Sequence, residues 1–183
     1  KDPRACLVLP NHPALLDPII LYSLLGPKLH LRPLADIAQV NRLFLKNIFI
    51  KIIRVIIIPD LSKQGVDVRK GVEQALSDVA DALKQNDNVL FYPSGHIYTQ
   101  EKEHVGVNSG LEYVLKAVRG TERNTEHKLP HLVLVRTSNL WGSRFSRAYG
   151  AYPKIVPLLL KGFLTVLVNF VFFIPKHKVE IEI

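Results

Sequence analysis

Apolar residues in this chain gather alternately into short runs and helical stripes. Residues 5 to 10, ACLVLP, form an apolar run closed by proline, the mark of a buried strand. The loop NHPALLDP follows, then an apolar stretch from Ile19 to Leu25 that is expected to stop before the turn at Gly26-Pro27. In RVIIIPD, residues 54 to 60, four β-branched residues precede Pro59 and predict a second strand. The clearest helix is Val68 to Lys84. There Val72, Ala75, Leu76, Val79 and Leu83 fall at i, i+3, i+4, i+7 and i+11, one stripe along a helix. NVLFYPSGH reads as a strand entering a Pro-Gly loop, GLEYVLKAV as a helix and LVLVRT as a strand. PKHKVEIEI closes the chain with Val179, Ile181 and Ile183 alternating against Glu180 and Glu182, the pattern of a half-exposed strand. Strands alternating with helices predict an α/β fold, a mostly parallel central sheet covered by helices.

Two segments stand apart. From Asn41 to Ile58 the text is NRLFLKNIFIKIIRVIII, and at about 100° per residue Lys46, Lys51 and Arg54 share one face with Asn47. A helix to about Arg54 would then carry Leu, Phe and Ile elsewhere, which suits a helix lying in a membrane interface and equally a core helix with a solvated basic face. Residues 155 to 175, IVPLLLKGFLTVLVNFVFFIP, approach the length of a bilayer span, but Pro157, Lys161, Gly162 and Asn169 interrupt them. A lysine in mid-span costs about 3 kcal/mol. The expectation is a buried or membrane-facing helix rather than a span.

Composition narrows the field. With 183 residues, no repeat and no Ser/Gly linker, residues 1–183 read as a single domain, and the opening KDPRACLVLP, without the features of a leader, suits a piece of a longer chain. Charged residues at 22% exclude the disordered class. One cysteine excludes an internal disulfide framework and a multi-cysteine metal site, and Cys6, though it could be reactive, reads as a buried strand residue. The net charge of +8 favours an anionic partner: a nucleic acid, an acidic carrier protein or an anionic membrane. Nucleic acid is disfavoured, because the basic residues do not interleave with aromatics.

The sharpest chemical signal is NHPALLDP, just past a strand, where open α/β sheets bind ligands. His12 is suited to take a proton near neutral pH, and Asp17, five residues on, can fold back to fix its tautomer while the substrate supplies the nucleophile. A helix cap or Asx-turn would also account for Asp17. His30, His104, His127, His131 and His177 lie in polar or loop contexts without metal-ligand spacing and read as solvated. His96 follows a strand and the Pro93-Ser94-Gly95 turn, which could offer backbone N–H groups to an oxyanion. Ser94 does not sit in a G-x-S-x-G elbow, and no Walker loop, dinucleotide fingerprint or zinc-finger spacing occurs.

NHPALLDP resembles the N-H-x-x-x-x-D block of the glycerolipid acyltransferases, the 1-acylglycerol-3-phosphate acyltransferases and their relatives. RVIIIPD with Gly65 looks like that family's second block, FYPSG like its third (F-P-E-G-T-R) and KLPHLVLV like its fourth. NLWGSRFSR, residues 139 to 147, is similar to the branch fused to acyl-carrier-protein synthetases, which re-acylates lysophospholipids. The resemblance implies an O-acyltransferase in which His12 deprotonates an acceptor hydroxyl and Asp17 orients His12. The hydroxyl oxygen then attacks an acyl thioester of coenzyme A or acyl carrier protein, with no metal, cofactor or covalent enzyme intermediate. It also implies substrate contacts from Asn11, Pro93, Ser94, Gly95 and His96. The expected partners are the thioester donor, a lysophospholipid acceptor, acyl carrier protein and a membrane surface. Lys46, Lys51 and Arg54 would dock on that membrane at its cytoplasmic face.

The chain departs from the pattern where the family grips glycerol phosphate: Ser94 stands for Glu, Ile97 for Arg and Leu61 for Arg. Lost Arg contacts are worth roughly 1.5 to 3 kcal/mol each. Lys63, Arg69 and Arg136 are near enough in sequence to the second and fourth blocks to substitute. Two other readings stay open, a catalytically impaired membrane- or carrier-binding module and a thioesterase with water as acceptor.

Overall fold

The computed structural model describes residues 4–41, 46–60, 63, 65–103, 109–120, 128–150, 155–172 and 178–183. In chain order these give β1 (Cys6–Pro10), α1 (Asp17–Leu29), β2 (Arg32–Asp36), α2 (Ile37–Asn41), α3 (Lys46–Ile53) and β3 (Ile56–Ile58). Then come α4 (Val66–Lys84), β4 (Val89–Leu90), α5 (Ser109–Arg119), β5 (His131–Ser138), α6 (Ile155–Phe172) and β6 (Glu180–Glu182). The strands form a sheet in the order β3-β2-β4-β1-β5-β6. All neighbours are parallel except β6, which runs antiparallel to β5. This is the α/β class, a mostly parallel sheet covered by helices.

Each face of the sheet has its own core. On one face the α4 stripe (Leu76, Val79, Ala80, Leu83) and Val114 and Val118 of α5 bury Leu7, Leu9, Val89 and Phe91. On the other face Leu21 of α1, with Tyr22, Leu25 and Leu29 packed around it, covers Val8, Leu90 and Val135. From β1 the chain therefore crosses one face through α1 to reach β2, while from β4 it crosses the opposite face through α5 to reach β5. The chain diverges in opposite directions from the adjacent strands β1 and β4, and open α/β sheets bind their ligands in the crevice at such a switch point.

Two expected boundaries move, and one strand is unexpected. The first helix runs through Gly26-Pro27 to Leu29 instead of stopping at Leu25. Gly26 lies so close to the Tyr22 ring that a Cβ there would stand 2.8 Å from it, and the helix ends at His30, whose positive φ of 49° closes the last turn. The regular strand in NVLFYPSGH is only Val89–Leu90, although the Phe91 N–H still donates to the Val8 carbonyl at 2.9 Å. RPLAD forms a strand despite Pro33, which disrupts the alternation on which a sequence reading depends. Cys6 lies on β1 as expected but is only half-buried, because it opens the strand; its backbone N–H donates to Asn88 Oδ1 at 2.7 Å.

Candidate active site

The loop after β1 is fixed from several sides. The Asn11 N–H donates to the Val135 carbonyl, and its side-chain amide extends the ladder: Nδ2 donates to the Thr137 carbonyl at 3.0 Å and Oδ1 accepts the Thr137 N–H at 2.7 Å. Both ends of that amide thus bond β5. The backbone of His12 is held as well, its N–H by Glu103 Oε1 at 3.3 Å and its carbonyl by the N–H of Tyr98 at 3.3 Å. Farther along, the Leu15 N–H donates to the Phe145 carbonyl at 2.8 Å, and Ala14 bridges Ser146. The segment 139–147 therefore buttresses the loop directly.

Asp17 opens α1, and its side chain is fully buried. His12 Nδ1 lies 3.0 Å from one carboxylate oxygen of Asp17 and 3.1 Å from the other, and the Ala14 backbone N–H also bonds the carboxylate. Burial pushes the carboxyl up to about 6; the His12 and Ala14 hydrogen bonds pull it down, and the Glu103 charge adds a smaller push upward. With Nδ1 committed to Asp17, the free edge of the imidazole is Nε2, on a side chain that keeps 16% of its surface exposed. A neutral imidazole oriented in this way can accept a proton at Nε2 and return it.

Sequence reasoning did not single out the residues around this pair. Tyr92 lays its ring 4.4 Å from the His12 ring, centre to centre, and its hydroxyl is buried without a hydrogen-bond partner among the described residues. Burial, then the charges of Asp17 and Glu103, push the Tyr92 phenol far up, so it stays neutral. Tyr98 stacks on Trp141 at 5.2 Å, is bonded by the Asn11 side chain, and is also pushed up, chiefly by burial. Tyr92 could have been suspected from its place at the end of a strand beside the Pro-Ser-Gly turn. Glu103 carried no signal, since it lies in the polar run TQEKEH.

The other expected site residues fall as follows. Ser94 is buried and its hydroxyl donates to the His96 carbonyl at 3.0 Å, while the Gly95 N–H is taken by the Tyr92 carbonyl at 3.1 Å. That turn is closed upon itself, with Gly95 at φ +68° and His96 exposed; Pro93 precedes it. The second sequence block lies on β3, with β2 and β4 between it and β1, and Leu61 is outside the described residues. His104, His127 and His177 are also outside them. Lys63 and Arg69 are exposed; Arg136 is exposed with Glu182 at 3.9 Å, and its charge reaches Tyr98. Of the three cations singled out for a membrane, Lys51 is exposed on α3 and Lys46 begins that helix. Arg54 donates to Asp87 at 2.9 and 3.2 Å, sharing this carboxylate with Arg32. Among the described residues no group of three or more His, Cys, Asp or Glu side chains could hold a metal ion. None of the described helices is long and apolar enough to cross a membrane.

No curated protein and no solved structure matches the chain. A family model described as Acyltransferase does match, over residues 2–133, which include β1, His12, Asp17, the Pro-Ser-Gly turn and the first half of the β5 ladder to β1. The chain belongs to the acyltransferase family, that of the glycerolipid acyltransferases.

Proposed function

We propose that this acyltransferase moves an acyl group from an acyl thioester, carried by coenzyme A or acyl carrier protein, to the hydroxyl of a lysophospholipid or related membrane alcohol. The observation that carries the reading is the His12–Asp17 pair, buried on the aspartate side and open on the histidine side, where the chain leaves the adjacent strands β1 and β4. His12 Nε2 accepts the proton of the acceptor hydroxyl as its oxygen bonds to the thioester carbonyl carbon. The tetrahedral intermediate collapses, the C–S bond breaks, and the thiolate leaves with the proton returned by the imidazolium. Ionised Asp17 holds the Nδ1 proton and stabilises the imidazolium between the two transfers.

The net charge of +8 supports anionic partners for this reaction: polyanionic coenzyme A, an acidic carrier protein and an anionic leaflet. Lys46 and Lys51 on α3, with Arg54 after it, would contribute roughly 1 kcal/mol each near such a surface. Arg54 contributes less than the others, because Asp87 already partners it.

The test is a labelled acyl thioester incubated with a panel of lysolipids. Labelled diacyl lipid supports the proposal, and His12→Ala should abolish it in a protein that still folds. Labelled free acid alone would point to a thioesterase, and vesicle or carrier binding without turnover to an impaired module; either result overturns the proposal.

A further inference from the structure

Beyond the residues matched by the family model lies α6, and its exposed side chains form a pattern. Leu160, Phe163, Leu164, Val166, Leu167 and Val168 are all exposed, Phe163 and Val166 at 62% and 63%. Placed at about 100° per residue, they occupy an arc roughly 200° wide centred near Leu167. Lys161 and Thr165, also exposed, fall outside that arc on adjoining positions. The Thr165 hydroxyl donates to the Lys161 carbonyl at 2.8 Å, so this polar side is satisfied by the helix itself.

We infer that α6 lies in the plane of a membrane interface, with its wide apolar arc in the lipid of one leaflet and Lys161 and Thr165 turned to the headgroups. The width of the arc decides the occupant. A partner helix or a second copy covers a stripe of about 100°, which would leave the rest of these side chains in water. Lipid conforms to the whole arc. Lys161 on the water side and the net charge of +8 complement an anionic leaflet. A helix of 18 residues with a lysine in its first half lies along the interface rather than across the bilayer. This inference deepens the proposed function by naming the surface that brings the domain to its lipid acceptor, and it is read by docking rather than by turnover.

The experiment is flotation of the protein with vesicles of phosphatidylcholine alone and of phosphatidylcholine with phosphatidylglycerol at 3:1, for the parent, Phe163→Glu and Thr165→Glu. The two variants add the same charge to the same helix on opposite sides. The parent should float with both vesicles, more strongly with the anionic ones; Phe163→Glu should lose at least tenfold in partition, and Thr165→Glu should stay within about threefold. Circular dichroism and acyl transfer to a detergent-dispersed acceptor control for folding, so a loss of docking is distinguished from a failure of the proposed chemistry. Equal behaviour of the two variants, or a parent that floats with neither vesicle, overturns the inference. So does a parent that is dimeric without lipid and becomes monomeric in Phe163→Glu, since a second copy would then occupy the face.

Discussion

Replacing Asp17 by asparagine should make this protein more stable and nearly inactive. The side chain is fully buried, and its carboxyl is raised from 3.8 to about 6, chiefly by burial. Below about pH 4 the group is protonated in both the folded and the unfolded chain. Between about 4 and 6 only the folded chain keeps the proton. The folded state therefore binds more protons in that window, and its stability falls as pH rises through it, then levels off. A shift of about two units corresponds to about 3 kcal/mol. The amide of Asp17→Asn carries no charge to desolvate, so at pH 7.5 the variant should gain up to about 3 kcal/mol, several degrees in Tm for a chain of this size. Activity moves the other way. The new amide can donate to His12 Nδ1, placing the imidazole proton on Nε2, where it blocks the base; by analogy with triads, kcat falls about 10⁴-fold. The assays are thermal melts from pH 4 to 8 and kcat for thioester-dependent transfer. In the parent kcat should fall as pH drops through about 6, while its stability relative to the variant rises. A variant that is less stable than the parent at pH 7.5 and turns over normally would refute both the buried charge and the dyad.

Three further outcomes are expected. Glu103→Gln keeps an oxygen for the His12 N–H but removes a negative charge that raises Asp17. The acid limb of the kcat/KM profile should move to lower pH, whereas a merely structural role would leave it in place. Tyr92→Phe deletes a buried hydroxyl without a partner among the described residues while keeping the ring against His12; denaturant melts should show a gain of about 1 kcal/mol, and a loss would mean that the hydroxyl is bonded. Lysophosphatidic acid should be a poorer acceptor than lysophosphatidylethanolamine in paired kcat/KM measurements, because Ser94 and Ile97 offer a dianionic monoester few donors. A tenfold preference for the monoester, about 1.4 kcal/mol, would show that other cations grip the phosphate.

What the sequence disclosed was local. The α4 stripe, the β-branched run before Pro59 and the alternation of Glu180, Ile181 and Glu182 depend on neighbours a few residues apart, and each forms an element where expected. His12 and Asp17 were legible for the same reason, since they lie only five positions apart across one loop. Glu103 reaches His12 across 91 positions and Thr137 reaches Asn11 across 126, and no periodicity marks such pairs. Arg54 looked like one of three equivalent cations on a helix face, because only the folded chain brings Asp87 to it, 33 positions away. The first helix outlasts its Gly-Pro signal because the Tyr22 ring packs on the space a side chain at position 26 would fill.

These long-range contacts bear on how a loop could carry the proposed general base. A loop histidine samples several orientations unless something removes that freedom, and each alternative orientation lowers the population able to accept the proton. Here the N–H and carbonyl of His12 are both engaged, Asn11 is tied to β5 through its side chain, and Ala14 and Leu15 are tied to the segment around Phe145. Asp17 on Nδ1 and the Tyr92 ring beside the imidazole then fix the side chain. The loop is in effect an extension of β1 and β5, and the ordering entropy is met during folding rather than at each turnover. The Pro-Ser-Gly turn has spent its Ser94 hydroxyl and Gly95 N–H on its own carbonyls, so those two groups are not offered to a ligand. The His12–Asp17 pair is thus held in place by the parallel sheet and its switch point. On the proposed function the acceptor would be met by exposed side chains near this pair, with His96 and Arg136 as the candidates, because both are exposed and the Arg136 charge reaches Tyr98.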